Sequence, residues 1–279
     1  MKKLVILLLI LVVFLSGCST SGTTGLVGSG TQGVIIKSFS PSDTTVEPKT
    51  PVLLTLLVSN VGSQKATNVN TQLMGLTDEW SIPDGRSQFI GDLFGTDPSR
   101  GVTQGEERAI TWTLTGPQKN VQLSYEATVR VTYTYTSEAS GMVKAVSSDY
   151  YQQKKVKSEI QSPKSTGGPL TITPKMTSVS VSGGSMPIRF EIQNSGGGRV
   201  YSGGSPTVGN LDRLTVSVQG ASCSRTDVRL IQGKSAVLYC TINAGGISDF
   251  KLVPFTLSTT YNYFVDSTTT ITVLPKAPY

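Results

Sequence analysis

The chain has 279 residues, 37% hydrophobic and 15% charged, and a formal charge of +6 that includes Lys2 and Lys3. A balance this mild, with no Lys/Arg block beyond Lys154-Lys155-Val156-Lys157, argues against a nucleic-acid partner. Histidine is absent, which removes the base of Ser-His-Asp and Cys-His catalysis and the commonest zinc ligand.

The chain begins with Met1-Lys2-Lys3, then an apolar run from Leu4 to Leu15, then Ser16-Gly17-Cys18. A membrane-spanning helix needs roughly 20 apolar residues, so this run is short for a span. A basic start, a short apolar core and a small-residue exit form the pattern of an export signal. The tail Leu15-Ser16-Gly17-Cys18 resembles the lipobox of prokaryotic lipoproteins. The resemblance implies a signal peptide over 1–17, cleavage before Cys18 and a lipid on its thiol. It places the mature chain on the outer face of the cell membrane or envelope, with the membrane as one partner. An ordinary signal peptide ending near a cysteine, or an uncleaved anchor, is the alternative.

Residues 19–33 are nearly all Ser, Thr and Gly. They bury too little apolar surface to offset ordering entropy, so 18–33 reads as a flexible tether. A first β-rich unit is expected over 34–156. Val52 to Val58 is almost wholly apolar, as a strand covered on both faces would be. Arg108 to Leu114 and Val129 to Tyr135 alternate with period 2. A break at 157–169, with Pro163, Gly167, Gly168 and Pro169 and almost no large apolar residue, reads as a linker. A second unit, 170–275, has alternating runs at Ile188 to Ile192, Leu214 to Val218, Ala236 to Ile242, Phe255 to Val265 and Thr270 to Val273.

The halves resemble each other. A shift of 128 lays Ile110 on Leu238, Trp112 on Cys240, Leu114 on Ile242, and Tyr133 and Tyr135 on Tyr261 and Tyr263. A shift of 134 lays Leu54 to Gly62 on Ile188 to Gly196. One change of shift is what a duplicated domain with one altered loop would show. Short strands, turns and no helical stripes predict an all-β chain of two tandem immunoglobulin-like β-sandwiches. Trp112 and Cys240 are expected to plug the same space between sheets. The strand ending in Asn-x-Gly, at Asn60-Val61-Gly62 and Asn194-Ser195-Gly196, resembles the CARDB-type immunoglobulin-like repeats of bacterial and archaeal surface proteins. That resemblance implies a surface binding or spacer module with no catalytic set.

With Cys18 assigned to lipid, Cys223 and Cys240 remain. In an exported chain an even pair reads as one disulfide, two buried thiols being the alternative. It would close a loop of about 18 residues, worth ~3 kcal/mol in the chain-entropy model. No cofactor motif or catalytic residue is identified. Asp78-Glu79 and Glu106-Glu107 are adjacent pairs, whose members point to opposite faces rather than across a cleft. Asp84, Asp92 and Asp97 lie in 76–105, the longest stretch without strand signals, and read as turn caps; no metal site is assigned. Trp80, Leu93, Phe89 and Phe94 share that stretch and read as a lid on the core, an apolar contact for a partner being the alternative. Tyr150-Tyr151 read as the end of a strand, and 195–204 as a glycine-rich hairpin or loop. The function expected is non-catalytic binding or spacing with a protein or glycan partner. A subunit pairing by edge strands is the next reading, and a carboxylate hydrolase the last.

Overall fold

A computed structural model of the chain describes residues 32–277. The expected signal peptide, Cys18 and nearly all of the expected tether lie outside the described residues. Among the described residues no helix is long and apolar enough to cross a membrane.

The chain is all-β as expected. The first half forms β1 (Val34–Pro41), β2 (Thr45–Val46), β3 (Pro51–Asn60), β4 (Ala66–Met74), β5 (Ser87–Leu93), β6 (Glu107–Thr115) and the long β7 (Leu123–Val146). A short helix α1 (Ser148–Lys154), capped by Ser147, leads to β8 (Glu159–Ser165) and β9 (Leu170–Met176). Then come β10 (Ser185–Asn194), β11 (Arg199–Tyr201), β12 (Arg213–Thr215), β13 (Ser217–Gln219), β14 (Ser222–Cys223), β15 (Asp227–Arg229), β16 (Ser235–Asn243) and β17 (Phe250–Val273).

The sheets do not divide between the halves as two tandem sandwiches would. β7 and β17, each 24 residues long, pair antiparallel end to end, from Leu123↔Val273 to Val146↔Phe250. They form the spine of one sheet that runs β11-β17-β7-β4-β5, with β2, β8 and β13 on its flanks. A sheet of β1-β3-β6 packs on one end of the spine, and a sheet of β14-β16-β10-β9 on the other. At the first end Val273 of β17 and Trp80 both lie against Gly116, just beyond β6. At the second end Ser137 of β7 donates to the Leu170 carbonyl of β9 (2.8 Å). The spine sheet therefore takes strands from both halves, whereas each sheet packed on it comes from one. Sequence alternation marked Val129–Tyr135 and two separate runs in 255–273. It missed their continuity, because Ser, Thr and Glu on the outward face look like breaks when one face alone is apolar.

The duplication is written into the registers. β6 and β16 have equal length, and Leu54↔Trp112 in the β3–β6 pair corresponds to Ile188↔Cys240 in the β10–β16 pair. Val34↔Asn60 corresponds to Leu170↔Asn194. Within the spine Tyr133 faces Tyr263, and Tyr135 faces Tyr261. The 128-residue shift exchanges these two pairs, so an internal pseudo-dyad passes through the pair Thr134–Asn262. Four buried tyrosines surround it, with ring centroids 5.6 to 6.4 Å apart.

The Asn-x-Gly turns do the same work twice. Asn60 Oδ1 accepts from the Gly62 N–H (3.1 Å), and Asn60 Nδ2 donates to the carbonyls of Gln64 and Leu93. Asn194 Oδ1 accepts from the Gly196 N–H (3.2 Å), and Asn194 Nδ2 donates to Gly198 and Gly233. The Tyr135 hydroxyl accepts from Gln64 N–H and the Tyr263 hydroxyl from Gly198 N–H, each at 3.0 Å. Gly62 and Gly196 are needed here: a Cβ would lie 2.0 Å from the Tyr135 hydroxyl and 2.5 Å from that of Tyr263.

Other expectations change. The segment 157–169 holds β8, an edge strand on β7, where Pro and Gly suggested a linker. The stretch 76–105 contains β5, which sits on β4 through an irregular register; Gly91 and two bulges hid its alternation. Tyr150 and Tyr151 stand on α1, because Ser147 accepts from the Tyr150 N–H and starts a helical turn. β3 buries Val52, Leu54, Leu56 and Val58 but leaves Leu53 47% exposed, since the outer face of its sheet is uncovered.

Candidate functional site

Cys223 and Cys240 form a disulfide. They are direct partners in the β14–β16 ladder, so the bridge ties neighbouring strands of one sheet. Cys240 is buried in the core as Trp112 is in the first half.

The acidic residues singled out in the sequence are separately engaged. Asp84 Oδ2 accepts from the Thr113 N–H (2.7 Å) and so caps the outer edge of β6. Asp92 accepts from the Asn68 N–H and pairs with Lys65, whose ammonium first of all holds its carboxyl below the usual carboxylate range. Asp97 is held low by the Ser99 hydroxyl. Glu106 accepts from the Phe94 N–H, which lowers its pKa, and from Arg108. Glu107 pairs with Lys37, Asp78 with Arg86 and Glu79 with Lys119. Among the described residues no three metal-ligating side chains converge. Trp80 and Leu93 fold into the core as the lid reading requires, whereas Phe89 and Phe94 are 69% and 62% exposed.

The most organised surface is one the sequence reading passed over, the outer face of the spine. Alternation turns every second residue of β7 and β17 outward, and threonine is the commonest of these. They join across the strands: Ser124 to Thr272 (3.0 Å), Thr128 to Thr268 (3.1 Å), Thr134 Oγ1 to Asn262 Oδ1 (2.8 Å) and Thr136 to Thr260 (2.9 Å). Such Thr–Thr pairs stabilise a ladder by roughly 0.2–1 kcal/mol each. Between them Arg130 pairs bidentately with Asp266 (2.8 and 2.7 Å) and lies over the Phe264 ring, 4.2 Å from its centroid. Phe264 in turn packs on Tyr201.

A cleft opens on this face beside the dyad. In the first half β4 runs nine residues along β7; its counterpart β11 stops after three. Ser202-Gly203-Gly204-Ser205-Pro206 follows. Gly203 takes a left-handed turn (φ 80°), and Pro206 has no N–H to give a ladder. β13 rejoins β17 only at Ser258, so Thr259 to Tyr261 lack a neighbouring strand on that side. The departing loop is held by Asn262 Nδ2 donating to the Gly203 carbonyl (2.8 Å) and by Asn210. The two-stranded ribbon β12–β15 forms the opposite wall. Its base is fixed where buried Asp212 receives Arg199. The resulting space is about 350 Å³, with Thr134, Thr260 and Asn262 as floor and Arg213, Thr215 and Asp227 as wall.

No protein-family model matches the chain, and no curated protein matches it. Solved structures give weak similarity. A protein of unknown function from Porphyromonas gingivalis W83 is 12% identical, over 75% of this chain and 83% of that one, with a TM-score of 0.22. The secreted serine protease VesC from Vibrio cholerae is 12% identical, over 85% and 51%, at 0.23. The collagen adhesin CNA from S. aureus is 10% identical, over 88% and 94%, at 0.16. At these TM-scores none of them carries an argument about this chain.

Proposed function

We propose that the chain is a non-catalytic binding or spacer protein, moored outside the cell by a lipid on Cys18. It presents paired immunoglobulin-like layers that share the β7–β17 spine. The observation that carries this reading is the hydroxyl-rich outer face of the spine, an extended surface built by both halves whose polar groups bond to one another rather than to a core. The disulfide adds support, since such bridges persist outside the reducing cytosol. One acyl chain gives only marginal attachment, so Cys18 carries two or more. The test is mass spectrometry of the amino terminus after membrane fractionation. We expect a chain that begins at a lipid-bearing Cys18, and a Cys18→Ala variant lost from the membrane fraction. An uncut, unmodified terminus in the cytosol refutes the reading.

A second reading, a subunit that pairs by edge strands, is favoured by β5. It ends the large sheet and exposes Phe89. Concentration-dependent oligomers of the detergent-solubilised protein, abolished by Phe89→Lys, would support it; a monomer at all concentrations would exclude it.

A further inference from the structure

Arg213 and Arg229 stand directly opposite each other in the β12–β15 ladder, both exposed. Like charges in this position destabilise a strand pair. Among the described residues neither guanidinium has a hydrogen-bond or ion-pair partner. This contrasts with Arg130, Arg108 and Arg199, each of which holds a carboxylate. Asp227 lies diagonally across from Arg213, beyond ion-pair distance, and offsets part of the charge. Arg213 lines the cleft, and Arg229 shares its face of the ribbon. Two planar forks side by side suit a carboxylate or sulfate, which each can grip bidentately.

The floor adds a different chemistry. The Thr134 hydroxyl donates to Asn262 Oδ1, so its lone pairs remain open toward the cleft; Thr260 and Thr215 add two more hydroxyls. A row of hydroxyls flanked by two arginines matches a ligand with many hydroxyls and a negative charge.

We propose that the cleft between the spine and the β12–β15 ribbon binds an acidic saccharide. Arg213 and Arg229 receive its anionic group, and the Thr134–Thr260 floor receives its ring hydroxyls. This rests on the reading of the chain as a binding protein and names the class of ligand. The repulsion between the arginines is relieved when the ligand arrives, so the site is stabilised by occupancy.

The experiment is calorimetric titration of the detergent-solubilised full chain with trigalacturonate, a chondroitin sulfate tetrasaccharide and neutral cellotriose. We expect one or both acidic probes to bind and the neutral one to bind at least tenfold more weakly, roughly the loss of one charged hydrogen-bonding partner. Trigalacturonate carries carboxylates alone and chondroitin sulfate carries both groups, so binding of trigalacturonate shows that a carboxylate suffices, and binding of chondroitin sulfate alone points to sulfate. Arg213→Ser and Arg229→Ser should each weaken binding roughly tenfold or more, with a melting temperature unchanged or raised because a like-charge contact is gone. Thr260→Val, which keeps the shape, should weaken binding without changing its salt dependence. Equal binding of cellotriose, acidic binding unchanged in both arginine variants, or no binding of any probe at millimolar concentration overturns the inference. Any of these leaves the anchoring test at Cys18 untouched, and failure at Cys18 leaves this titration unaffected.

Discussion

If β7 and β17 serve both packed layers, then cutting the chain between the halves should not release them. α1 is the place to cut, because it buries no residue and ends in Lys154-Lys155. A protease site placed there leaves each fragment with one spine strand. The second fragment sends Tyr261, Tyr263, Val265, Ile271 and Val273 into the shared core around the first half's strands, and the first sends Val143 toward the second's. At roughly 2 kcal/mol per buried side chain of this kind, these six contribute on the order of 12 kcal/mol. Ladder hydrogen bonds along the spine add a comparable sum, at roughly 0.5–1 kcal/mol net for each. Association costs of about 4–15 kcal/mol are exceeded by roughly 10 kcal/mol, which corresponds to micromolar affinity or tighter. The nicked protein should therefore elute as one species on size exclusion at micromolar concentration and melt in a single transition. Fragments that separate without denaturant, or two independent transitions in the uncut chain, would refute the shared spine.

Tyr135→Phe and Tyr263→Phe each remove a hydroxyl that both donates (to Gly167 O at 2.8 Å, to Asn194 Oδ1 at 2.7 Å) and accepts a backbone N–H. Leaving those partners unmet should cost about 1–3 kcal/mol each, read from urea midpoints at constant slope. Burial pushes the phenols of Tyr135 and Tyr263 up to about 12, and those of Tyr133 and Tyr261 up as well. Their folded values exceed the unfolded value near 10, so the stabilisation is complete below pH ~10 and is lost as pH rises through the folded values. Circular dichroism and tyrosinate absorbance should change together above pH ~10; ionisation of these four with the fold intact would contradict the burial. Replacing Cys223 and Cys240 by serine should lower stability by ~3 kcal/mol, measured against the oxidised protein, and a change below ~0.5 kcal/mol would show that the β14–β16 tie is redundant.

Local pattern made the β content, the repeat and the cysteine pairing legible. The matching shifts laid Trp112 on Cys240 and Leu54 on Ile188, because one face of each strand is apolar with period 2, and the registers then pair Leu54 with Trp112 and Ile188 with Cys240. Pairing between distant strands left no such trace. Nothing in Val129 to Tyr135 says that its neighbour will be Tyr261 to Val265 of the other half rather than a strand nearby. That choice is made by the tyrosine quartet, whose rings fill the space around the dyad only when both copies contribute. The cleft was hidden for a related reason. It is made by a strand that stops early at Tyr201 and by two arginines 16 residues apart in sequence, which only the β12–β15 register brings face to face.

The internal dyad also says where to look for function. Strands β1, β3 and β6 have counterparts in β9, β10 and β16, down to the Asn-x-Gly turns and the tyrosine hydroxyls that bind them. These matching parts bury apolar surface and hold the spine, a demand identical in both copies. The copies differ between β4 and β6, and between β11 and β16. In the first half that interval extends the sheet with β5 and offers Phe89 and Phe94 to solvent. In the second it abandons the sheet edge, opens the cleft over Thr260 and sets Arg213 against Arg229. An equal demand for packing cannot account for unequal segments inserted at one position of a repeated frame. The unpaired arginines lower stability in a ribbon that the first half does not have, so a ligand's charge is the physical reason for them to stand there.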